Sequence, residues 1–497
     1  MKPHPFEKAC QLLVQGDCTA AVAEARRVHR RTQGATSDWA LASVLINASD
    51  FTRKLKLARE GKKILEGLPS KLIEANADQY YYNLGIACAS IGRHEKGVGA
   101  ARRPSFAAAV SHYDQSLQSS AHPDTRANLA NALLAQGRYI EALDELDDLL
   151  ASQPQHYNAW GYRGTAFLGI DGWLNNSHAG ILQAALLSYR KAVEFAKNDP
   201  IVAQTFARRA RQLEARVRPP ADLEQAPMRD DVDWIWRNRL ALNPCPICKM
   251  DSPDAFDLYP LPGVLKSPKR RPPTDDLFVV VNSILATFGT ARWQLWAADS
   301  PDVPLPTDHI IQHTGTAGCL VDLRLGLRMA AMTGFYRVLG QVASALNNCL
   351  SLKHAPHRVK FDNVWGRPGS HGLPSTPAQL NPGIRRRRNA PLSALYYLSA
   401  SLEQGRGRYQ HLRVLRNDIE HQLAAPFSQR EATRTRYYKP FTPVELSRDV
   451  YTIGRLARSA IWYLCAAFLS EERRRVHSAQ RAGHILGKGS QTPVARR

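Results

Sequence analysis

The sequence predicts an all-α protein, a solenoid of helical repeats followed by a helical bundle. Three observations carry that expectation. A spacing of small and apolar residues recurs through the first 217 positions. From about Leu277 onward, apolar residues return at helical spacing in long segments separated by basic, Pro- and Gly-containing loops. And 497 residues with 44% apolar content exceed what one ordinary core holds, so two or three packed domains are expected rather than a disordered chain.

The repeat is clearest in RANLANALLAQGRYIEALDELDDLLASQP, Arg126 to Pro154, where Leu129, Ala130, Leu133, Gly137, Ala142, Leu146, Leu149 and Pro154 take the small and apolar positions. That is the spacing of a tetratricopeptide unit, two antiparallel helices of about 34 residues with a Gly-containing turn. It recurs at Tyr81–Arg93, with Leu84, Gly85 and Gly92 in matching places, and at Ala159–Ile170, with Trp160 and Gly164. Looser helix pairs are expected over Phe6–Leu68. Two units carry insertions, GAARRPSFA and DGWLNNSHAG. Such units bury their apolar faces only by stacking, and stacking leaves a concave groove suited to a peptide or protein ligand.

The resulting division is a repeat domain at 1–217, a Pro- and charge-rich linker at 218–235, a helical domain with basic loops at 236–477 and a disordered basic tail at 478–497. Within the second half, single helices are expected at Leu277–Ala297, Asp322–Leu352, Ala394–Leu423 and Pro443–His477.

Charge and targeting narrow the function classes. The net charge is +22, and about two-thirds of the excess falls after residue 220. A basic excess of that size attracts polyanions, of which nucleic acid is the commonest in a cell. The opening MKPHPFEKAC has no apolar h-region, and the most apolar late segment, Ser459–Leu469, is too short to span a bilayer. Eight cysteines in a chain of this length make no disulfide framework. A soluble, reducing, cytoplasmic setting without membrane partners is the expectation. No Walker loop, GxGxxG fingerprint or HExxH is present.

The chemistry-bearing stretch is LRNDIEHQ, Leu415 to Gln422. At about 100° per residue, setting Arg416 at zero puts Glu420 near ~40°, Asn417 near ~100° and His421 near ~140°. Leu412, Leu415, Ile419 and Leu423 fall between about 260° and 340°, an apolar stripe. Asp418, near ~200°, lies outside the polar arc and reads as an ordinary solvated residue. Arg416 and Glu420 are one turn apart, as are Asn417 and His421, so each pair can touch.

These groups suit RNA cleavage without a metal. The 2′-hydroxyl attacks the adjacent phosphate, and histidine, with an ordinary pKa near ~6.5, moves protons at cellular pH. A guanidinium meets the charge that develops on the phosphorane-like oxygens with two directed hydrogen bonds. One histidine per chain falls short of an acid and a base together; a twofold dimer with two facing helices supplies both.

Arg-x4-His with Asn after the arginine, on a late helix of an all-α bundle, resembles the signature of the HEPN superfamily. The flanking pieces WRNRLALNP (Trp236–Pro244), FYRVLGQVASALN (Phe335–Asn347), FDNVW (Phe361–Trp365) and NAPLSALYYLSASL (Asn389–Leu402) strengthen the likeness to a bacterial subfamily with tetratricopeptide-like repeats ahead of the HEPN domain. The resemblance implies a metal-independent endoribonuclease of a toxin or abortive-infection type, a homodimer through this helix, and Arg416 and His421 as the catalytic pair. Asn417 is implied as their polar companion, with Glu420 in support. Some HEPN domains only bind, so the rival expectation is a non-enzymatic adaptor whose repeats bind a peptide.

Remaining candidates are weaker. The run Arg385, Arg386, Arg387 and Arg388, with Arg413, is the candidate RNA contact; without interleaved aromatics it indicates phosphate binding rather than base stacking. Tyr396 and Tyr397 read as core. CPIC places Cys245 and Cys248 at zinc-knuckle spacing, but a structural site needs four ligands. No second CxxC exists, and Cys349, His354 or His357 complete a set only if the fold brings them close. No cofactor is expected: CPIC reads first as a turn with two free thiols, with a structural zinc at Cys245 and Cys248 as the alternative.

Overall fold

A computed structural model of the chain describes residues 5–95, 104–174, 178–217, 227–257, 274–304, 323–374, 377–403, 407–421, 423–426 and 438–488. The chain forms two compact units. Unit 1 comprises Met1–Gly169, Ile181–Pro220 and Ala400–Gln410; unit 2 comprises Ile170–Gly180, Ala221–Ser399 and His411–Arg497. Two short segments, 170–180 and 400–410, thus belong to the unit that their place in the sequence does not suggest.

Unit 1 is built of α1 (Glu7–Val14), α2 (Cys18–Thr32), α3 (Ala35–Thr52), α4 (Leu55–Glu66), α5 (Ser70–Ala75), α6 (Ala77–His94), α7 (Pro104–Ser119), α8 (Pro123–Ala135), α9 (Tyr139–Ser152), most of α10 (Tyr157–Trp173), α11 (Ala179–Phe195) and α12 (Pro200–Glu214). Local chemistry sets the starts. Asp17 accepts from the Ala20 N–H at 3.0 Å and caps α2, and Asp199 accepts from the Val202 N–H at 3.1 Å ahead of Pro200 in α12. From α1 to α4 and from α6 to α9, each helix packs on its neighbour in sequence, the arrangement of stacked hairpins.

The repeat positions read from the sequence do the packing: Leu129, Ala130, Leu133, Ala142, Leu146 and Leu149 are all buried. Glycine is required at two equivalent places. A Cβ on Gly85 would sit 2.4 Å from the Tyr113 ring, and one on Gly164 would sit 2.9 Å from the Tyr189 ring. Each glycine lets an aromatic of the next helix close against the backbone.

Segment 400–410 is held in this unit by ions. Arg408 donates from Nε to Asp114 of α7 and from Nη2 to Glu145 of α9, both at 2.7 Å. Arg138, only 1% exposed, donates to Glu141 at 2.8 Å and to the Ser401 hydroxyl at 2.8 Å. Buried charges are tolerable only when paired in this way.

Unit 2 contains α13 (Asp230–Arg237), α14 (Pro246–Asp251), α15 (Thr274–Asp299), α16 (Leu323–Cys349), α17 (Pro382–Arg385), α18 (Ala390–Ser401), α19 (Gln410–His421) and α20 (Pro443–Lys488), with the ends of α18 and α19 nearest residues 400–410 counted in unit 1. α15 packs along α16, and α20 packs on both. Phe288 and Phe335 meet at 5.5 Å between ring centroids in the first of these contacts.

The segment 238–243 threads against this core through its carbonyls. Arg455 donates to Asn238 O at 3.1 Å, Arg292 to Leu240 O at 3.2 Å, and the Trp462 indole to Leu242 O. Trp365 is fully buried, its indole donating to Phe361 O at 2.8 Å, with Tyr396 edge-on to it at 5.6 Å. Tyr396 and Tyr397 are core residues. The Asn389 amide at the head of α18 donates to Ala467 O at 2.9 Å and to Glu471 at 2.8 Å, which fixes α18 against α20.

The structure departs from the sequence expectation in four places. The helix expected over Ala394–Leu423 is two helices, α18 and α19. The Tyr409 N–H bonds back to Ser401 O at 2.7 Å, and a Cβ on Gly407 would lie 2.4 Å from that same oxygen, so the chain doubles on itself where only glycine fits. After α19, β1 (Leu423–Pro426) pairs in parallel with β2 (Tyr438–Phe441), so Leu423 continues no helix. α13 begins inside the span expected as linker, because Asp230, Asp231 and Asp233 favour a helix N-terminus; 218–226 lie outside the described residues. α20 runs to Lys488 rather than ending at His477, since the added stretch holds no proline; 489–497, the rest of the expected tail, also lie outside the described residues. Among the described residues no helix is long and apolar enough to cross a membrane.

Candidate functional site

α19 carries the polar arc. Leu412 is fully buried and anchors one face, while Leu415 and Ile419 of the expected stripe are half-buried. Arg416 lies 2.6 Å from the Glu420 carboxylate one turn later, and its Nη1 donates to the Asn417 side-chain oxygen at 3.0 Å. Its guanidinium also rests 5.9 Å from the Tyr336 ring of α16, within cation–π range. The Arg416 side chain is 32% exposed, yet its Nε–H is buried without a hydrogen-bond partner among the described residues. The Tyr336 hydroxyl is likewise buried and unpartnered there, and burial pushes its pKa up.

His421 closes α19, one turn beyond Asn417; its side chain lies outside the described residues. Asp418 corrects the sequence reading. It is 7% exposed, not solvated, and it has interactions within the protein. The helical wheel places it beside His411, which is itself exposed but reaches Asp449 of α20 at 3.6 Å. Burial raises the Asp449 pKa, but hydrogen bonds from His411 and Arg448 outweigh it and hold the carboxyl below its ordinary value.

The arginine run divides. Arg387 pairs with Glu471 and donates to Gly383 O at 2.8 Å, and burial lowers its pKa. Arg386 and Arg388 are exposed and Arg385 half-buried. Arg413 pairs with Asp362 at 2.9 Å. An anion therefore finds its freest cations at Arg386 and Arg388 and meets competition from a carboxylate at Arg387, Arg413 and Arg416.

Cys245 and Cys248 meet a third group that the sequence reading did not name. The sulfur of Cys248 lies 3.7 Å from Nε2 of His178, and the donor atoms of His178, Cys245 and Cys248 lie within 4.8 Å of one another. Hydrogen bonds from Cys245 and the His178 imidazole lower the Cys248 pKa. The partner bond to Cys248 and burial push Cys245 up, and the bond to Cys248 raises His178. His354, considered as a ligand, instead receives a hydrogen bond from Asn347 to its carbonyl and contacts Gly366 O through its ring at 3.2 Å. No local spacing signals His178, which stands 67 residues before Cys245 inside the DGWLNNSHAG insertion.

Two family models match the chain. Residues 105–161, α7 through the start of α10, match a tetratricopeptide repeat. Residues 269–471, which include α16, α18, α19 and the first part of α20, match the LA2681-like HEPN family. No curated protein matches the chain. Its described fold is helical apart from the short ribbon after α19, in keeping with both families. The chain thus carries an LA2681-like HEPN domain over residues 269–471, behind a tetratricopeptide repeat at 105–161.

Proposed function

We propose that this protein is a metal-independent endoribonuclease of the HEPN type, with the repeats sensing a partner or trigger. The observation that carries the reading is Arg416, Asn417 and His421 together on one helix inside the matched domain, at the spacing of the HEPN signature. In the reaction the 2′-oxygen bonds to phosphorus as the bond from phosphorus to the 5′-oxygen breaks. A base takes the 2′-hydroxyl proton and an acid protonates the departing oxygen, leaving a 2′,3′-cyclic phosphate and a 5′-hydroxyl. His421 serves as acid or base, with the second such group supplied by a partner copy in a homodimer. Arg416 stabilises the phosphorane charge, and Asn417 holds the guanidinium in place. Arg386 and Arg388 are the RNA contacts that the reading favours, with Arg385 beside them.

The sensing role is supported by residues 400–410. This segment immediately precedes α19 and belongs to the repeat unit, clamped there by Arg408 and Arg138. A ligand that reshapes the repeats therefore acts on the lead-in to the site. The cellular setting that follows is cytoplasmic antiviral defence, abortive infection or a toxin system.

A second reading is favoured by one contact, the 2.6 Å pair between Arg416 and Glu420. If that pair is permanent, the domain only binds and the chain is an adaptor. The test is cleavage of RNA by purified protein in EDTA, with end-group analysis for cyclic phosphate. Cleavage lost in Arg416→Ala and His421→Ala, and raised or retained in Glu420→Gln, supports the enzyme. Wild-type protein that binds RNA but never cuts it, with any candidate trigger present, supports the adaptor.

A further inference from the structure

We infer that His178, Cys245 and Cys248 form a zinc site that ties the 170–180 segment to the CPIC turn within unit 2. The chemistry of the donors is the first ground. Two thiols and an imidazole are the donor set that zinc prefers over magnesium or calcium. The second ground is geometry. Zinc–sulfur and zinc–nitrogen bonds of about 2.3 Å and 2.05 Å at a tetrahedral angle put sulfur and nitrogen about 3.6 Å apart and two sulfurs about 3.8 Å apart. The Cys248 sulfur and His178 nitrogen stand 3.7 Å apart, and all three donor atoms fall within 4.8 Å of one another.

The turn itself is shaped for metal. Cys245 heads α14, and its sulfur accepts the Cys248 backbone N–H at 3.4 Å, which orients both sulfurs to one side. The Cys245 N–H is fixed by the Asn243 side chain at 3.0 Å, and Asn243 also donates to Ala255 O at 3.1 Å. Opposite, Gly180 passes so close that a Cβ there would lie 2.9 Å from the Cys245 sulfur. His178 is set from its own segment, its N–H donating to Asp171 at 3.4 Å. Cys245 is buried while Cys248 and His178 are half-buried, and together they supply three of the four donors of a tetrahedral zinc.

With three protein donors the site lacks the closed four-ligand set of a usual structural zinc, and the role inferred for it is to hold one segment of the chain to another. Through His178 the site holds the 170–180 segment to the CPIC turn of the same unit. None of its three residues is among those proposed to cut RNA, so its test does not pass through nuclease activity. Full-length protein, purified under reducing conditions without chelator, is measured by plasma mass spectrometry; about one zinc per chain is expected. Cys248→Ser and His178→Ala should each lower that by tenfold or more, while Cys10→Ser leaves it unchanged and His178→Cys, which restores a soft donor, keeps it. Cobalt exchanged into the wild type should show the thiolate charge-transfer and intense visible bands of a tetrahedral site, and removing metal should lower the melting temperature of wild type but not of His178→Ala. Wild-type protein that takes up neither zinc nor cobalt overturns the assignment. So does full zinc in the His178→Ala protein, or a Cys245–Cys248 disulfide recovered by rapid alkylation in place of metal.

Discussion

The arginines of the two units differ in what surrounds them. In unit 1, Arg408 is 13% exposed and divided between two carboxylates, and Arg138 is 1% exposed and bonded to Glu141, Gln136 and Ser401. In unit 2, Arg416 is 32% exposed, meets one carboxylate and an amide, and keeps an Nε–H without a partner among the described residues. The first pair are saturated by their own fold, whereas the third has capacity left for another anion. The lesson is that a guanidinium signals a ligand when the fold leaves it incompletely satisfied, not when it is merely present.

The comparison breaks most sharply at the proposed catalytic groups. His421→Ala or Arg416→Ala should lower the rate of RNA cleavage by about a hundredfold or more, with the denaturation midpoint almost unchanged. A midpoint that falls as far as the rate would make Arg416 another structural arginine. Arg408→Ala should do the reverse. It leaves Asp114 and Glu145 without their shared cation in a nearly buried setting and should cost about 3–5 kcal/mol, read by urea denaturation.

Smaller effects refine the contrast. Replacing Arg386 and Arg388 together by Gln should reduce RNA affinity and lower the slope of log affinity against log salt by about 2, because each phosphate contact contributes nearly one unit. An unchanged slope would remove both from the interface. The least effect concerns Asp449. Its folded pKa lies below the unfolded value, so its contribution is present above the unfolded pKa and is lost as pH falls through the folded one. Asp449→Asn should therefore flatten the acid limb of stability against pH, with little change near neutrality; the same acid limb in both proteins would refute the role of His411 and Arg448 in holding that carboxylate.

Legibility in the sequence followed the range of the interaction concerned. Leu129, Ala130, Leu133, Ala142 and Leu146 were readable because repeat packing recurs at a fixed spacing, and the structure buries all five. Arg416 and Glu420 were readable as a pair because one helical turn joins them. Reading through Gly405 and Gly407 as one long helix failed because helical periodicity continues on both sides of the break. Asp418 was misjudged for a related reason: a helical wheel gives its direction but not the neighbour it meets.

By itself, the sequence determined the all-α class, the repeats, the location of the HEPN-like segment and the composition of its polar arc, all of which rest on spacing within a few turns. Tertiary structure alone decided that residues 400–410 join the repeats, that Arg387 and Arg413 are held by Glu471 and Asp362, and that His178 meets Cys245 and Cys248. Those contacts join residues from 51 to about 290 positions apart. Local periodicity carries no record of such pairings, because they depend on how whole helices pack.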